Sequence, residues 1–227
     1  MSATKPFPAP PQPRLYLASP PIADAAALAP VLAGLLAAAD IAAVLVRLAD
    51  ADERSKINRI KALAPAIQGP GAALLLDGHV GLVARAGADG AHVSGIAAMN
   101  DALEQLKPDR IVGVGGLYSR HDSMIAGEAG ADYLLFGEPE TSGHRPPAEA
   151  VAERLNWWAE LFEPPCVGYA QTADETELFA AAGADFVLVG DAIWSDARGP
   201  QAALADVVER IGQGHEANLS KAALKHG

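Results

Sequence analysis

The chain has 227 residues, half of them hydrophobic and 5% aromatic, so the expectation is one large domain with a core of Ala, Val, Leu and Ile. A formal net charge of -11 excludes the basic face that nucleic-acid phosphates or an anionic membrane surface would require. No apolar run has the length of a spanning helix and the start lacks a cationic-then-apolar leader; with Cys166 alone there is no disulfide framework or cysteine metal site, and a cytoplasmic protein is expected.

Pro6, Pro8, Pro10, Pro11 and Pro13 make residues 1–13 an expected extended, mobile arm, with the packed domain running from Arg14 to Gly212. Leu15 to Ala18 reads as a first strand, closed by Ser19-Pro20-Pro21. Asp24 is placed to cap an alanine- and leucine-rich helix to about Ala39. Ala42 to Arg47 is a second strand, apolar enough to be buried on both faces. Asp52 to Ala64 is helical by period, with Arg54, Lys56, Arg59 and Lys61 mostly on the wet side. Gly69-Pro70-Gly71 turns the chain into Ala72 to Asp77, the third strand. A short helix from Val80 leads to a fourth strand ending at Val93, and Ala97 to Leu106 is helical. Arg110 to Val114 is a fifth strand followed by Gly115-Gly116, Asp122 to Ala129 a helix, and Tyr133 to Gly137 the sixth strand. The connection Glu138 to Pro147 is long and polar, the kind of loop that carries function. Ala148 to Leu161 is a helix, Cys166 to Tyr169 the seventh strand, Asp174 to Ala182 a helix and Phe186 to Val189 the eighth strand. A short helical turn at Gly190 to Trp194 precedes a last helix near Gln201 to Ile211, and residues 213–227 read as a polar tail.

One junction occurs three times: Ala86-Gly87-Ala88-Asp89, Ala129-Gly130-Ala131-Asp132 and Ala182-Gly183-Ala184-Asp185. Each closes a helix with Gly at a left-handed C-cap and then opens an apolar run, with Asp placed to bond local backbone amides. Eight strand–helix alternations give a (β/α)8 TIM barrel, an α/β fold in a single domain, with an open doubly wound sheet as the competitor. In that barrel the site lies at the C-terminal strand ends, and phosphate commonly sits beyond strands seven and eight.

The rim so defined holds several candidates, each with a plainer role beside it. Arg47 is an anion ligand or the partner of a local carboxylate such as Asp77. Asp77 is a metal ligand, a base, a salt-bridge partner or a cap. His92 is a site residue or a histidine hydrogen-bonded within the core. Gly113, Gly115 and Gly116 open backbone amides to an anion or relieve crowding. Ser142 to Arg145 grips a phosphate, with Arg145 bidentate and Ser142 donating, or is a solvated loop. Asp191 is an N-cap or a site acid, and Trp157, Trp158 and Trp194 are packing or subunit-contact residues.

The junctions, the length and segments such as Ala88-Asp89-Gly90-Ala91-His92 and Gly130-Ala131-Asp132-Tyr133 resemble the thiamine phosphate synthase/TenI family over Arg14 to Gly212. That resemblance implies joining a hydroxymethylpyrimidine diphosphate to a thiazole phosphate through a pyrimidine cation, releasing pyrophosphate from a site that holds Mg²⁺. TenI-type relatives instead aromatise the thiazole or lack a demonstrated reaction. Against the family's Gln-x-Arg-x-Lys this chain has Leu45-Val46-Arg47-Leu48-Ala49, and against its metal-binding Asn-Asp it has Asp77-Gly78. His92 matches, but Ala97 stands where a second metal-binding Asp is expected. Gly115 replaces a Ser, Ser142-Gly143-His144-Arg145 replaces Thr-x-Thr-Lys, Ala170-Gln171 replaces a phosphate-cradling Gly-Gly, and Asp191 replaces a Ser. The resemblance therefore implies Arg47, Asp77 and His92 as catalytic residues. It also implies Ser142, Arg145, Gly115, Gly116 and Gly190 around phosphate, and Asp77 on any Mg²⁺. Two readings follow: an enzyme of thiamine biosynthesis or salvage, or a degenerate barrel that binds a phosphate ligand as a binding or regulatory protein. A phosphosugar or indole-type barrel reaction is a third, resting on the Gly113 to Gly116 amides. The expected partner is a small phosphate-bearing molecule, and exposed Trp with an acidic surface allows a homodimer.

Overall fold

The computed structural model describes residues 10–140 and 142–226; Pro6 and Pro8 of the expected arm lie outside them. Eight strands close into a parallel barrel in chain order: β1 (Arg14–Ala18), β2 (Ile41–Val46), β3 (Ala73–Asp77), β4 (Gly90–Ser94), β5 (Ile111–Gly115), β6 (Tyr133–Phe136), β7 (Cys166–Ala170) and β8 (Phe186–Val189). The helices lie between them: α1 (Ala25–Ala38), α2 (Glu53–Gln68), α3 (Val83–Ala86), α4 (Ile96–Leu106), α5 (Arg120–Glu128), α6 (Ala148–Leu161), α7 (Ala173–Ala181), α8 (Asp191–Trp194) and α9 (Pro200–His226). Closure through β1 and β8 rules out the open doubly wound sheet.

Period-2 alternation sorts each strand into two cores. Leu15, Leu17, Val44, Val46, Leu74, Leu76, Val112 and Val114 face the helices. Tyr16, Leu45, Leu75, Tyr133, Leu135, Val167, Tyr169 and Leu188 form a separate cluster that fills the barrel. The same parity carried two residues beyond Leu45 and Leu75 aims Arg47 and Asp77 into the mouth.

The repeated junction Asp does more than cap its own turn. Asp89 Oδ2 accepts from Leu74 N at 2.7 Å, Asp132 Oδ2 from Val112 N at 2.7 Å and Asp185 Oδ2 from Cys166 N at 2.8 Å. In return each Asp amide donates to the carbonyl of that same residue. Each copy thus clamps the first residues of the preceding strand, 15 to 20 residues upstream, rather than the local amides the sequence suggests. Gly87, Gly130 and Gly183, all at positive φ, make the turn that brings the Asp there.

The last helix departs from expectation. It continues past Ile211 to His226, so the polar tail is helical. Gly214 is not a stop signal but a contact point: a Cβ there would stand 2.2 Å from the Glu177 carbonyl oxygen, so the glycine lets α9 lie against α7. Arg210 adds an ion pair to Glu177. The tryptophans pack against the chain to different depths, with Trp157 and Trp194 half-buried. Trp158 is fully buried and donates to Pro164 O, Trp194 donates to Ala18 O, and Trp157 packs beneath Arg120. Trp158 is thus a core residue, while Trp157 and Trp194 make intrachain contacts and keep part of their surface open.

Candidate active site

Strand register assembles the centre of the mouth. Asp77 pairs with His92, His92 with Gly113, and Gly113 with Tyr133, so four strands bring these positions side by side. Gly113 leaves room for the Tyr133 ring: a Cβ would lie 1.9 Å from Tyr133 Cζ. The ring therefore crosses strand β5 and stacks on His92, with centroids 5.7 Å apart and planes 11° from parallel. Tyr133 Oη lies 3.1 Å from His92 Nδ1 and 2.9 Å from Tyr16 Oη.

On its other nitrogen, His92 Nε2 stands 3.2 Å from Glu138 Oε1. Parity along β6 would point residue 138 at the helices. Gly137, at φ +94°, reverses that and turns the carboxylate inward. Gly115 provides its seat, since a Cβ there would meet Glu138 Oε2 at 1.7 Å. His92 is 2% exposed and the Glu138 side chain 23%, so the pair joins the barrel interior to the open mouth. One assignment lets every buried hydrogen in the row donate: Tyr16 to Tyr133, Tyr133 to His92 Nδ1, and His92 Nε2–H to Glu138. The reverse order would leave the buried Tyr16 hydroxyl without an acceptor.

Charges follow from this packing. Burial lifts both phenols well above the ordinary tyrosine value, and the nearby Asp77 and Glu138 add to the shift, so both stay protonated. Burial opposes ionisation of Glu138. His92, the amide of Gly116 and Arg47 together outweigh it and hold the carboxyl below the ordinary Glu value.

The remaining candidates divide into those at the mouth and those drawn into structure. Arg47 Nε faces Asp77 Oδ2 at 3.4 Å, and Nη1 reaches to 3.6 Å from where a Gly190 Cβ would be. Among the described residues no hydrogen bond takes the other Arg47 N–H groups. Arg145 is different. It donates Nε to Gly137 O at 2.7 Å, Nη2 to Tyr169 O at 2.7 Å, and Nη1 and Nη2 to both oxygens of Glu175 at 2.9 and 2.8 Å. Glu175 also accepts from Gln171 N at 2.8 Å. The donors expected to hold a phosphate beyond β6 and β7 already hold a carboxylate, because the bidentate fork fits either anion.

Ser142, expected to donate to phosphate, hydrogen-bonds Glu140 Oε2 and accepts from His144 N within an exposed loop. The glycines Gly115 and Gly116 act mainly as clearances, the latter for Ser94 Oγ, and the Gly116 amide serves Glu138. Asp191 opens α8 but is not its cap, a place taken by Gly190 without a side-chain bond. As for Mg²⁺, the fit is poor. Asp77 is paired with Arg47, and among the described residues no group of three His, Cys, Asp or Glu side chains is placed to hold a metal.

A closed eight-stranded barrel with a cation, two carboxylates and a buried histidine at its C-terminal mouth defines a TIM-barrel protein with a polar, enzyme-like site. Comparison with known proteins narrows the class. The family described as thiamine monophosphate synthase matches residues 15–193, and the chain belongs to that family. It is 41% identical over 196 residues to a thiamine-phosphate synthase of Rhodospirillum centenum, covering 85% of this chain and 95% of that protein. A second relative with that description, from Hyphomonas neptunium, is 34% identical over 204 residues, covering 86% of this chain and 91% of its own. Among solved structures, the fold is shared with thiamine phosphate pyrophosphorylase from Pyrococcus furiosus (TM-score 0.74, 20% identity, 89% of this chain and 97% of that one). It is also shared with 3-hexulose-6-phosphate synthase from Salmonella typhimurium (TM-score 0.68, 22% identity, 89% and 100%). Among the described residues no helix is long and apolar enough to cross a membrane.

Proposed function

We propose that this chain is a thiamine-phosphate synthase, joining a pyrimidine diphosphate to a thiazole phosphate and releasing pyrophosphate. The observation that carries the reading is Arg47: inside a barrel of this family it stands at the mouth with Nε beside Asp77 and, among the described residues, no hydrogen bond on its other N–H groups. Leaving-group departure builds negative charge on the pyrophosphate, and a guanidinium fixed by Asp77 is already oriented to meet it. Gly190, beside Arg47, lets that anion approach the end of β8 closely. His92 and Asp77 shape the mouth at the reacting end. Arg145, through Glu175 and the Gly137 carbonyl, holds the loop that presents Glu138, which makes it a positioning residue. The side chains at the mouth do not fit a metal, since Asp77 is paired with Arg47 and no second carboxylate among the described residues joins it in a metal-holding group.

The reading is tested by incubating the purified chain with 4-amino-5-hydroxymethyl-2-methylpyrimidine diphosphate and hydroxyethylthiazole phosphate, and measuring thiamine phosphate and pyrophosphate. Wild type is expected to turn over and Arg47→Ala to lose most of its activity. Absence of product from the folded wild type would refute it. A second reading, a barrel that binds a phosphate ligand without turnover, is favoured by the Glu175 carboxylate lying on Arg145 and the Gln171 amide. Binding of both substrates without product would decide for it.

A further inference from the structure

We infer that Glu138 is the receptor for the amino edge of the pyrimidine, a specificity residue outside the set that the family pattern supplies. The inference rests on the synthase reading above for the identity of the ring, and on four observations of this structure for the site.

The carboxylate is placed rather than incidental. A left-handed glycine turns it inward, a second glycine is missing the Cβ that would collide with it, and a histidine that is 2% exposed fixes one oxygen. Behind His92, two buried phenols extend the row, so the proton on Nε2 is held in place from below. His92 takes one lone pair of Oε1, and an ionised carboxylate has about four acceptor sites in all. Those left over include the ones on the side open to the mouth. The acid is also kept ionised by its neighbours, which makes it an acceptor at neutral pH.

The mouth is therefore bipolar. Arg47 stands at the β2 side near Gly190, and Glu138 stands over β4 and β5. A ligand suited to both ends carries an anionic group and, at a distance across a flat ring, an edge of N–H donors. An aminopyrimidine diphosphate has that form: phosphate at one end, and at the other an exocyclic amine beside a ring nitrogen. Protonation of that nitrogen gives two parallel N–H bonds to one carboxylate. The same negative charge would favour a cationic ring once the diphosphate departs. On the β2 side, Leu45 is apolar and packed in the barrel cluster, so a donor edge has no acceptor on that residue.

The experiment compares two probes by calorimetry: 4-amino-5-hydroxymethyl-2-methylpyrimidine and its analogue lacking the exocyclic amine. Each is titrated into wild type, Glu138→Gln and Glu138→Ala, with inorganic pyrophosphate as a control ligand. Wild type is expected to prefer the amino compound by about tenfold to a hundredfold, the size of one charge-assisted hydrogen bond. Both substitutions should collapse that preference toward one while pyrophosphate binds at least as well as before. Glu138→Gln keeps the shape and can still accept from His92, and a single cooperative melting transition would certify its fold. A preference that survives both substitutions, or wild type that binds neither pyrimidine, would overturn the inference. Turnover by wild type with a surviving preference would leave the synthase reading intact. A collapsed preference without any turnover would do the reverse.

Discussion

Gly115→Ala is the most direct test of how the mouth is built. The new Cβ would stand 1.7 Å from Glu138 Oε2, 2.7 Å from Cδ and 3.0 Å from His92 Nε2. Backbone is not in the way, so the structure yields by swinging the carboxylate out toward solvent. That motion breaks the bond to His92 and the contact with the Gly116 amide. Hydrogen bonds to charged groups contribute about 1.5–3 kcal/mol, and the departing carboxylate regains hydration, so the net loss should be about 1–2 kcal/mol. For a domain of this length that corresponds to a fall in Tm of about 2–8 °C. The mechanism makes a sharper demand through a double-mutant cycle followed by thermal and urea unfolding. In a Glu138→Ala background the two closest colliding atoms are gone and only the tight contact to His92 Nε2 at 3.0 Å remains. Gly115→Ala should then cost clearly less than in wild type, by more than the about 0.3–0.5 kcal/mol within which independent sites add. Strict additivity of the two substitutions would refute the claim that Gly115 exists to seat Glu138.

The remaining predictions test the other contacts. Arg145→Ala should cost about 3–5 kcal/mol in urea unfolding, because it leaves the largely buried Glu175 without its partner; a loss below 1 kcal/mol would show the pair to be dispensable. Asp185→Ala leaves the Cys166 amide of β7 without its acceptor and should destabilise by about 1–3 kcal/mol, with hydrogen exchange of β7 amides rising first. Equal protection in the variant would contradict the clamp. Glu138 has a folded-state pKa below its unfolded value, so the stability it contributes is present above the unfolded pKa and lost as pH falls through the folded one. Glu138→Gln should therefore flatten the acid limb of the stability–pH curve and leave the limb above about pH 6 unchanged in slope. Arg47→Lys should retain part of the pyrophosphate affinity and Arg47→Ala little of it, read by calorimetry, since a point charge replaces a planar fork in the first.

The family resemblance, the eight strands and their order were legible because each rests on local signals. Apolar runs bounded by Gly, Pro and Asp mark the strands, and the three Ala-Gly-Ala-Asp junctions mark the winding. Arg47, Asp77 and His92 fall on the rim because they stand near the C-terminal ends of the second, third and fourth strands, and the structure brings them to one mouth. Arg145 read as a phosphate fork because a guanidinium suits either anion, and nothing local reveals that Glu175, thirty residues on, faces it. The last helix read as ending near Gly212 because glycine stops an isolated helix. Here the close approach to Glu177 makes glycine the residue that lets the helix continue.

Glu138 and Tyr133 were missed as site residues for a related reason. Tyr133 read as an ordinary strand residue, and its reach across β5 depends on Gly113 of a neighbouring strand having no side chain. Glu138 lies on the wrong parity, and a single left-handed residue before it changes the direction. A Gly immediately before an acid at a strand end was the one signal that pointed to it.

By itself, then, the sequence determined eight alternating strands and helices, because backbone propensities and the burial of alternate side chains act over a few residues. The pairing of β1 with β8 is what chose the closed barrel over an open sheet. What it left open was which polar groups meet across the mouth. Those pairings depend on register between strands tens of residues apart and on space that one strand leaves for another's side chain. Only closure of the barrel brings Gly115 beneath Glu138, His92 against Tyr133, and Glu175 onto Arg145.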